Sequence, residues 1–321
     1  MNILIFHSGA LGDLVNTLPA ISALRRRFPG AVLTAVGRPD LLALPLEAGL
    51  IDEAVALERP GMHLLFAPGP AEKLPGPLRE WLSGFDLAVS WVRSPELIAN
   101  LGALGIATHF HPGPFPPPAG SGHATEHMML ALRGLGIDGP AAAPRLPAPG
   151  RWPGPRFPGI IVHPGSGSRR KNWPAEKFAQ AATILADGSG LPFAVLAGPA
   201  DGEAAAATVA LLKALGHEAR LIAGLTLPEL AGMLASARLL VGNDSGVAHL
   251  AGSVGAPVVA VFGPSDPARW GVRQAAAVIL RRSDCVPCFD DRSRVCQSGE
   301  CFAGLTPEAV AEAGAGLLSR R

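Results

Sequence analysis

No apolar run in this sequence reaches the roughly 18 to 20 residues that a membrane-spanning helix needs. Charge of one sign is also missing, because 27 Lys and Arg face 26 Asp and Glu, a net of +1. That balance excludes the electrostatic footprint of a general nucleic-acid binder. It leaves two local basic clusters to consider, Arg25-Arg26-Arg27 and Arg169-Arg170-Lys171. Met1-Asn2-Ile3-Leu4-Ile5-Phe6 has no basic leader and reads as a buried strand, so a cytosolic protein is expected. Four cysteines in a cytosolic chain are not a secretory disulfide framework. Tyrosine is absent while Ala, Gly and Pro are abundant, a compositional bias to which no mechanism attaches.

What is present suits two domains of about 150 residues, with ample apolar material for two cores. In the first half, short apolar runs alternate with amphipathic stretches. Strands are expected at Asn2 to His7, Ala31 to Gly37, Asp52 to Leu57 and Phe85 to Trp91. Leu14, Leu18, Ile21, Leu24 and Phe28 recur at helical spacing after the first of them. Between Asp138 and Gly159 seven prolines remove backbone donors, which marks a linker and divides the chain into 1–150 and 151–321. The second half predicts strands at Ile160 to His163, Phe193 to Ala197, Arg220 to Ala223, Arg238 to Val241 and Pro257 to Phe262. Helices near 174–186, 201–215, 226–236 and 246–254 separate them. The expected fold class is therefore α/β, with two Rossmann-like domains of mostly parallel sheet and a ligand position in a cleft between their carboxyl edges.

Three loops carry the chemistry. Gly9-Ala10-Leu11-Gly12-Asp13 joins the first strand to a helix, where glycine lets the backbone approach a ligand closely. Asp13 would repel a phosphate and suits a general base, although Asp is equally a favoured helix cap. The spacing does not give the Gly-x-Gly-x-x-Gly of a dinucleotide site, and the second strand ends in Gly37-Arg38 where an NAD site wants an acid. Arg38 keeps an NADP dehydrogenase as a weaker alternative. The second loop is His163-Pro164-Gly165-Ser166-Gly167-Ser168-Arg169-Arg170-Lys171-Asn172-Trp173-Pro174. Small residues there free the backbone to wrap oxygen atoms, the hydroxyls of Ser166 and Ser168 can donate, and Lys171 brings a mobile cation. The third, Gly242-Asn243-Asp244-Ser245-Gly246-Val247-Ala248-His249, opens a helix whose first N–H groups face an anion, with His249 one turn along from Ser245. The plain alternatives are a solvated turn and a capped helix. No Asp-x-Asp pair stands beside these loops, so a divalent metal is not demanded.

In order and spacing the three segments resemble glycosyltransferase family 9, the ADP-heptose:lipopolysaccharide heptosyltransferases. The resemblance implies a GT-B fold and an inverting transfer that requires no cofactor. It also implies ADP-heptose as donor and a lipid-linked core oligosaccharide as acceptor, received by the N-terminal domain. By position, Asp13 matches the family's general base, and Ser166 and Lys171 match its donor-phosphate contacts. Asp244, Ser245, Gly246 and His249 match its nucleotide-sugar loop, and Gly12 belongs to the first motif. Gly198 to Glu203 falls where the family contacts the nucleoside. Gly167 stands where some members carry a second hydroxyl. The implied location is cytoplasmic and peripheral to the inner membrane. A nucleotide-sugar epimerase of the same fold, or a transferase using another nucleotide sugar, are the alternatives.

Cys285-x-x-Cys288, Cys296 and Cys301 could hold a structural zinc, though two of the spacings are irregular for zinc ribbons and reduced thiols or a labile disulfide are favoured. The final helix, Pro307 to Leu318, is expected to pack back across the linker, as GT-B chains do.

Overall fold

The computed structural model describes residues 1–69, 73–113, 120–147, 152–274, 276–282, 284–291 and 300–320. It divides into two compact units, Met1–Pro118 with Ala124–Ala142, and Ala119–His123 with Ala143–Arg321. Within the expected linker, residues 148–151 lie outside the described residues.

The first unit runs β1 (Asn2–Phe6), α1 (Leu11–Arg27), β2 (Val32–Gly37), α2 (Pro39–Glu47), β3 (Glu53–Ala56), α3 (Gly76–Ser83), β4 (Leu87–Ser90), α4 (Pro95–Ala103), β5 (Ala107–Phe110) and α5 (Ala124–Met129). Its sheet has the order β3-β2-β1-β4-β5. Each neighbouring pair is parallel. The central strand is buried on both faces, so Ile3 to Phe6 form an unbroken apolar run instead of an alternation. Leu4 and Phe6 pack with Val36, Leu78, Leu97 and Leu101 on one side of the sheet. α1 buries Leu14, Leu18, Ile21 and Leu24 and ends in three arginines, which favour the negative end of its dipole. Arg25 is not a solvated cation: its guanidinium donates to Asp52 Oδ2 at 2.6 Å and to the carbonyl of Ala31.

The second unit runs β6 (Ile160–His163), α6 (Ala175–Ser189), β7 (Phe193–Leu196), α7 (Gly202–Ala214), β8 (Arg220–Ile222), α8 (Leu227–Ser236), β9 (Leu239–Asn243), α9 (Gly246–Ser253), β10 (Val258–Phe262), α10 (Pro267–Trp270), β11 (Ala277–Arg281) and α11 (Pro307–Leu318). Its sheet order is β11-β10-β9-β6-β7-β8, again parallel throughout the described pairs. Phe178, Ala181, Ala182 and Leu185 form the buried stripe of α6, which meets Trp173 edge-to-face through Phe178 at 5.0 Å. Burying a large side chain such as Phe178 or Leu185 contributes about 1.5–3 kcal/mol of transfer free energy. The C-terminal helix α11 packs on α6 and against β9 and β10 within its own unit. No helix among the described residues is long and apolar enough to cross a membrane.

Candidate functional site

In both sheets the strand order reverses beside the first strand, between β1 and β4 and between β6 and β9. Parallel α/β sheets take ligands at the carboxyl ends of strands at such a reversal, because the two flanking loops diverge there and leave an opening. The three sequence motifs are the loops at these two points. One follows β1, and the other two follow β6 and β9.

In the first unit, Asp13 is the third residue of α1 and half-buried, with Gly12 half-buried beside it. The N–H of Ala10 donates to Asp13 Oδ2 at 2.9 Å. This is half of a capping box, since Ala10 has no hydroxyl with which to reciprocate. A Cβ on Gly9 would stand 2.6 Å from the Cβ of Asp13, so the loop can fold over the carboxylate only with glycine there. The capping geometry is therefore real, yet it uses one of the several lone-pair sites that a carboxylate offers. Beneath the loop, His7 is buried, and burial pushes its pKa down to about 4 against a hydrogen bond with the backbone of Asp13. The imidazole is neutral at neutral pH. Arg38, the cation that an NADP site would need, is forked onto Asp40, with Nε–Oδ1 at 3.2 Å.

In the second unit, β6 runs beside β9 with His163 opposite Gly242, so their following loops emerge together. Asn243 cross-links them. Its amide donates to the carbonyl of Pro164 at 2.7 Å and accepts from the Trp173 N–H at 2.9 Å. Lys171, at the end of a 3-10 turn (Arg169–Lys171), puts Nζ 3.2 Å from Asp244 Oδ2. Asp244 is buried and also accepts from the hydroxyl of Ser265. Ser245 caps α9, accepting from the Ala248 N–H at 3.3 Å. Its hydroxyl lies 3.4 Å from His163 Nδ1, while His163 Nε2 donates to Asp201 Oδ2 at 2.9 Å. With Nε2 carrying the proton, Nδ1 is left to accept from Ser245, a tautomer assigned from the network. Burial works to raise the Asp201 carboxyl, but the His163 hydrogen bond and the N–H of Gly198 outweigh it and hold it below the usual carboxylate range. The structure thus brings Lys171, Asp244, Ser245, Gly246 and His249 to one end of the sheet, and the start of α9 turns its N–H groups to the same end.

Residues 147–298 match the profile of glycosyltransferase family 9 (heptosyltransferase). The matched segment lies within the second unit and spans a little under half of the chain. Over nearly its whole length the chain is similar to lipopolysaccharide heptosyltransferase 1 of Pseudomonas aeruginosa, with 24% identity over 97% of this chain and 96% of that protein. Among solved structures it resembles the ADP-heptose lps heptosyltransferase II of E. coli, with TM-score 0.78, 21% identity, and 100% of this chain and 99% of that one covered. A family 9 glycosyltransferase from Veillonella parvula is alike to the same degree, with TM-score 0.77, 22% identity, and 100% and 97% covered. The fold class is that of these enzymes, GT-B, built from two parallel-sheet α/β domains.

Other parts of this glycosyltransferase depart from simple expectation. The hydroxyl of Ser166 is used within its own loop, 2.7 Å from both the Ser168 carbonyl and Asn172 Oδ1. To reach a phosphate it must exchange one of these partners. A Cβ at Gly167 would meet nothing within 4 Å, so the loop is open there. At Gly165 a Cβ would fall 2.1 Å from that of Asp201, and only glycine fits. His249 is buried, and burial first of all pushes its pKa down to about 4, with the Asp244 charge opposing and the His123 and Lys171 charges assisting. It is a neutral ring. Cys285 and Cys301 pack with the core of this unit, Cys288 is buried, and Cys296 lies outside the described residues. Among the described residues no group of three or more metal-ligating side chains comes together. Sequence reasoning did not single out Asn243 or the His163–Asp201 pair. The signal available was a polar residue closing each otherwise apolar strand.

Proposed function

We propose that this glycosyltransferase moves a heptose from ADP-heptose to an inner-core acceptor of lipopolysaccharide, with inversion at the anomeric carbon. The observation that carries the reading is the meeting of Lys171 with the start of α9, held by Asp244 and Asn243 at the strand-order reversal. A diphosphate seated there meets an ammonium and the N–H groups of Ser245 to Val247. Those donors stabilise the charge that grows on the leaving group as the glycosidic bond breaks. Asp13 takes the proton of the attacking hydroxyl, and a carboxylate fixed at a helix start suits that role because its position costs nothing to reorganise. His163, Asp201 and Asn243 hold the donors in place. The names of the similar enzymes supply heptose, ADP and lipopolysaccharide as the chemistry to try first.

A lipid-linked acceptor puts the enzyme at a membrane face. Arg26 and Arg27, exposed at the end of α1, are the basic groups offered for such a contact once Arg25 is committed to Asp52. The test is a donor screen read by mass spectrometry, with ADP-heptose beside UDP- and GDP-sugars and a lipid A–Kdo acceptor. A mass increase of one heptose from ADP-heptose is expected. Transfer from a UDP- or GDP-sugar alone would overturn the donor assignment. An epimer formed from donor without acceptor would replace transfer with isomerisation.

A further inference from the structure

The cysteine-bearing loop has no part in the reaction as described, yet its middle is docked onto the loop that carries Lys171. The N–H groups of Cys288 and Phe289 both donate to the carbonyl of Pro264, at 2.8 and 3.0 Å, just beyond β10. Asp290 is gripped by Arg269 at 2.7 Å and by the indole N–H of Trp270 at 2.8 Å, both on α10. Thus anchored on both sides, Phe289 sets its ring 5.1 Å from Lys171 Nζ and 5.6 Å from the guanidinium carbon of Arg170. Arg170 also approaches Cys288 Sγ at 3.8 Å. Two successive cations of one 3-10 turn share one aromatic ring, and the ring's electron-rich face attracts each of them.

We infer that Phe289 is a positioning residue for donor binding, holding the Lys171 ammonium where a diphosphate can reach it. This rests on the reading of Lys171 as the diphosphate contact. Asp244 draws the ammonium from 3.2 Å, and a lysine stem is flexible. Without an opposing attraction the ammonium closes onto the buried carboxylate and is spent on that pair. The Phe289 face supplies a counter-pull that does not compete for the ammonium's hydrogen bonds. Because the ring is carried by a segment pinned to Pro264, Arg269 and Trp270, its place does not depend on the ligand.

The experiment measures ADP and adenosine affinities by ligand-observed NMR for the whole chain and for Phe289→Leu, Phe289→Trp, Lys171→Met and the Phe289→Leu/Lys171→Met double variant. Phe289→Leu is expected to weaken ADP about three- to fivefold, the scale of one exposed cation–π contact, and to leave adenosine unchanged. Phe289→Trp, which keeps a π face, should retain wild-type ADP affinity. In the Lys171→Met background, Phe289→Leu should have no further effect, because the ring acts through the ammonium. Equal weakening of ADP and adenosine, or an undiminished further loss in the double variant, would overturn the proposal and leave Phe289 as loop packing. Wild-type ADP affinity in Lys171→Met would instead overturn the diphosphate reading itself, and this inference with it. Should Phe289→Leu fail to fold, Phe289→Met, of similar bulk without a π face, gives the same comparison.

Discussion

After β1 the first unit fastens the Asp13 carboxylate to the main chain, whereas after β6 and β9 the second unit fastens its polar groups to one another. Asp13 is steadied by the N–H of Ala10 and by the fold of Gly9 against it. In the second unit Lys171, Asp244 and Ser265 form one connected set, Asp201, His163 and Ser245 form another, and Asn243 ties the loops that carry them. The contrast suits the proposed tasks. A group that must exchange a proton needs lone pairs left over, while a cradle for a diphosphate needs its donors held at fixed distances before the ligand arrives. Backbone fastening makes a residue independent of its neighbours, and a side-chain network makes residues depend on each other.

The sharpest way to break the comparison is Asp13→Asn. The amide still accepts from Ala10, so folding and ADP affinity should stay close to wild type. Turnover should fall by roughly 10²- to 10⁴-fold, the usual worth of a general base. Steady-state kinetics beside an ADP titration reads both, and undiminished turnover leaves Asp13 as a cap alone.

Next in size is Asn243→Leu. It strips the Pro164 carbonyl and the buried Trp173 N–H of their partner, each at about 1–3 kcal/mol. Unlike Asp13→Asn, it should lower stability by roughly 2–5 kcal/mol in thermal unfolding and weaken ADP as well. A stable variant with intact ADP affinity would dissolve the claim that the network is built as a unit.

A third test uses acid, to which the two units should respond alike despite their different construction. His7 and His249 each have a folded pKa of about 4 against an ordinary 6.5. Below the ordinary value the unfolded chain takes up a proton that the folded chain refuses. Stability should therefore be flat above that value and fall as pH drops from it toward about 4, by on the order of 3 kcal/mol per ring at the lower end. His7→Gln and His249→Gln should each flatten the slope of melting temperature against pH through that window. A variant with the parent slope removes its histidine from the account.

The smallest effect belongs to Gly167→Ser. The position has open space around a Cβ and no positive φ, so stability should move by less than about 0.5 kcal/mol. The added hydroxyl should tighten ADP a few-fold if the loop cradles phosphate, a gain that isothermal titration calorimetry resolves.

Much of this was legible in the residues. Buried strands announced themselves as apolar runs, and Ile160–His163 coincides with its expected bounds. The strands not expected, β5 and β11, lie at sheet edges, with side chains only partly covered or exposed. An edge strand needs no continuous apolar run, so its pattern merges with that of a loop. At the candidate site, the residues proposed to act on ligands were visible, namely Asp13, Lys171 and the Asp244–His249 segment. Those that act on other residues were not. Asn243 stands in sequence between an expected strand and the Asp244–Ser245 helix start, and His163 ends a strand. Their partners, Trp173 and Asp201, are 70 and 38 residues away and are chosen by sheet order, which no local pattern encodes. The half-capping box at Asp13 shows the opposite case, where cap and base readings competed and one geometry accommodates both.

Trp173 bears on measurement as well as on packing. The sequence holds five tryptophans and no tyrosine, so ultraviolet excitation of the folded chain is read out by indole alone. Trp173 is 1% exposed, with its backbone clasped by Asn243 two residues beyond Lys171 and the Lys177 ammonium 5.8 Å over its ring. A dry indole beside mobile cations emits at short wavelength and shifts when nearby charge is compensated. Arrival of an anion at Lys171 should thus register as a colour change in the protein's own emission, and Trp173→Phe should silence it. Donor binding in this enzyme can then be followed in real time, without a label or a coupled assay.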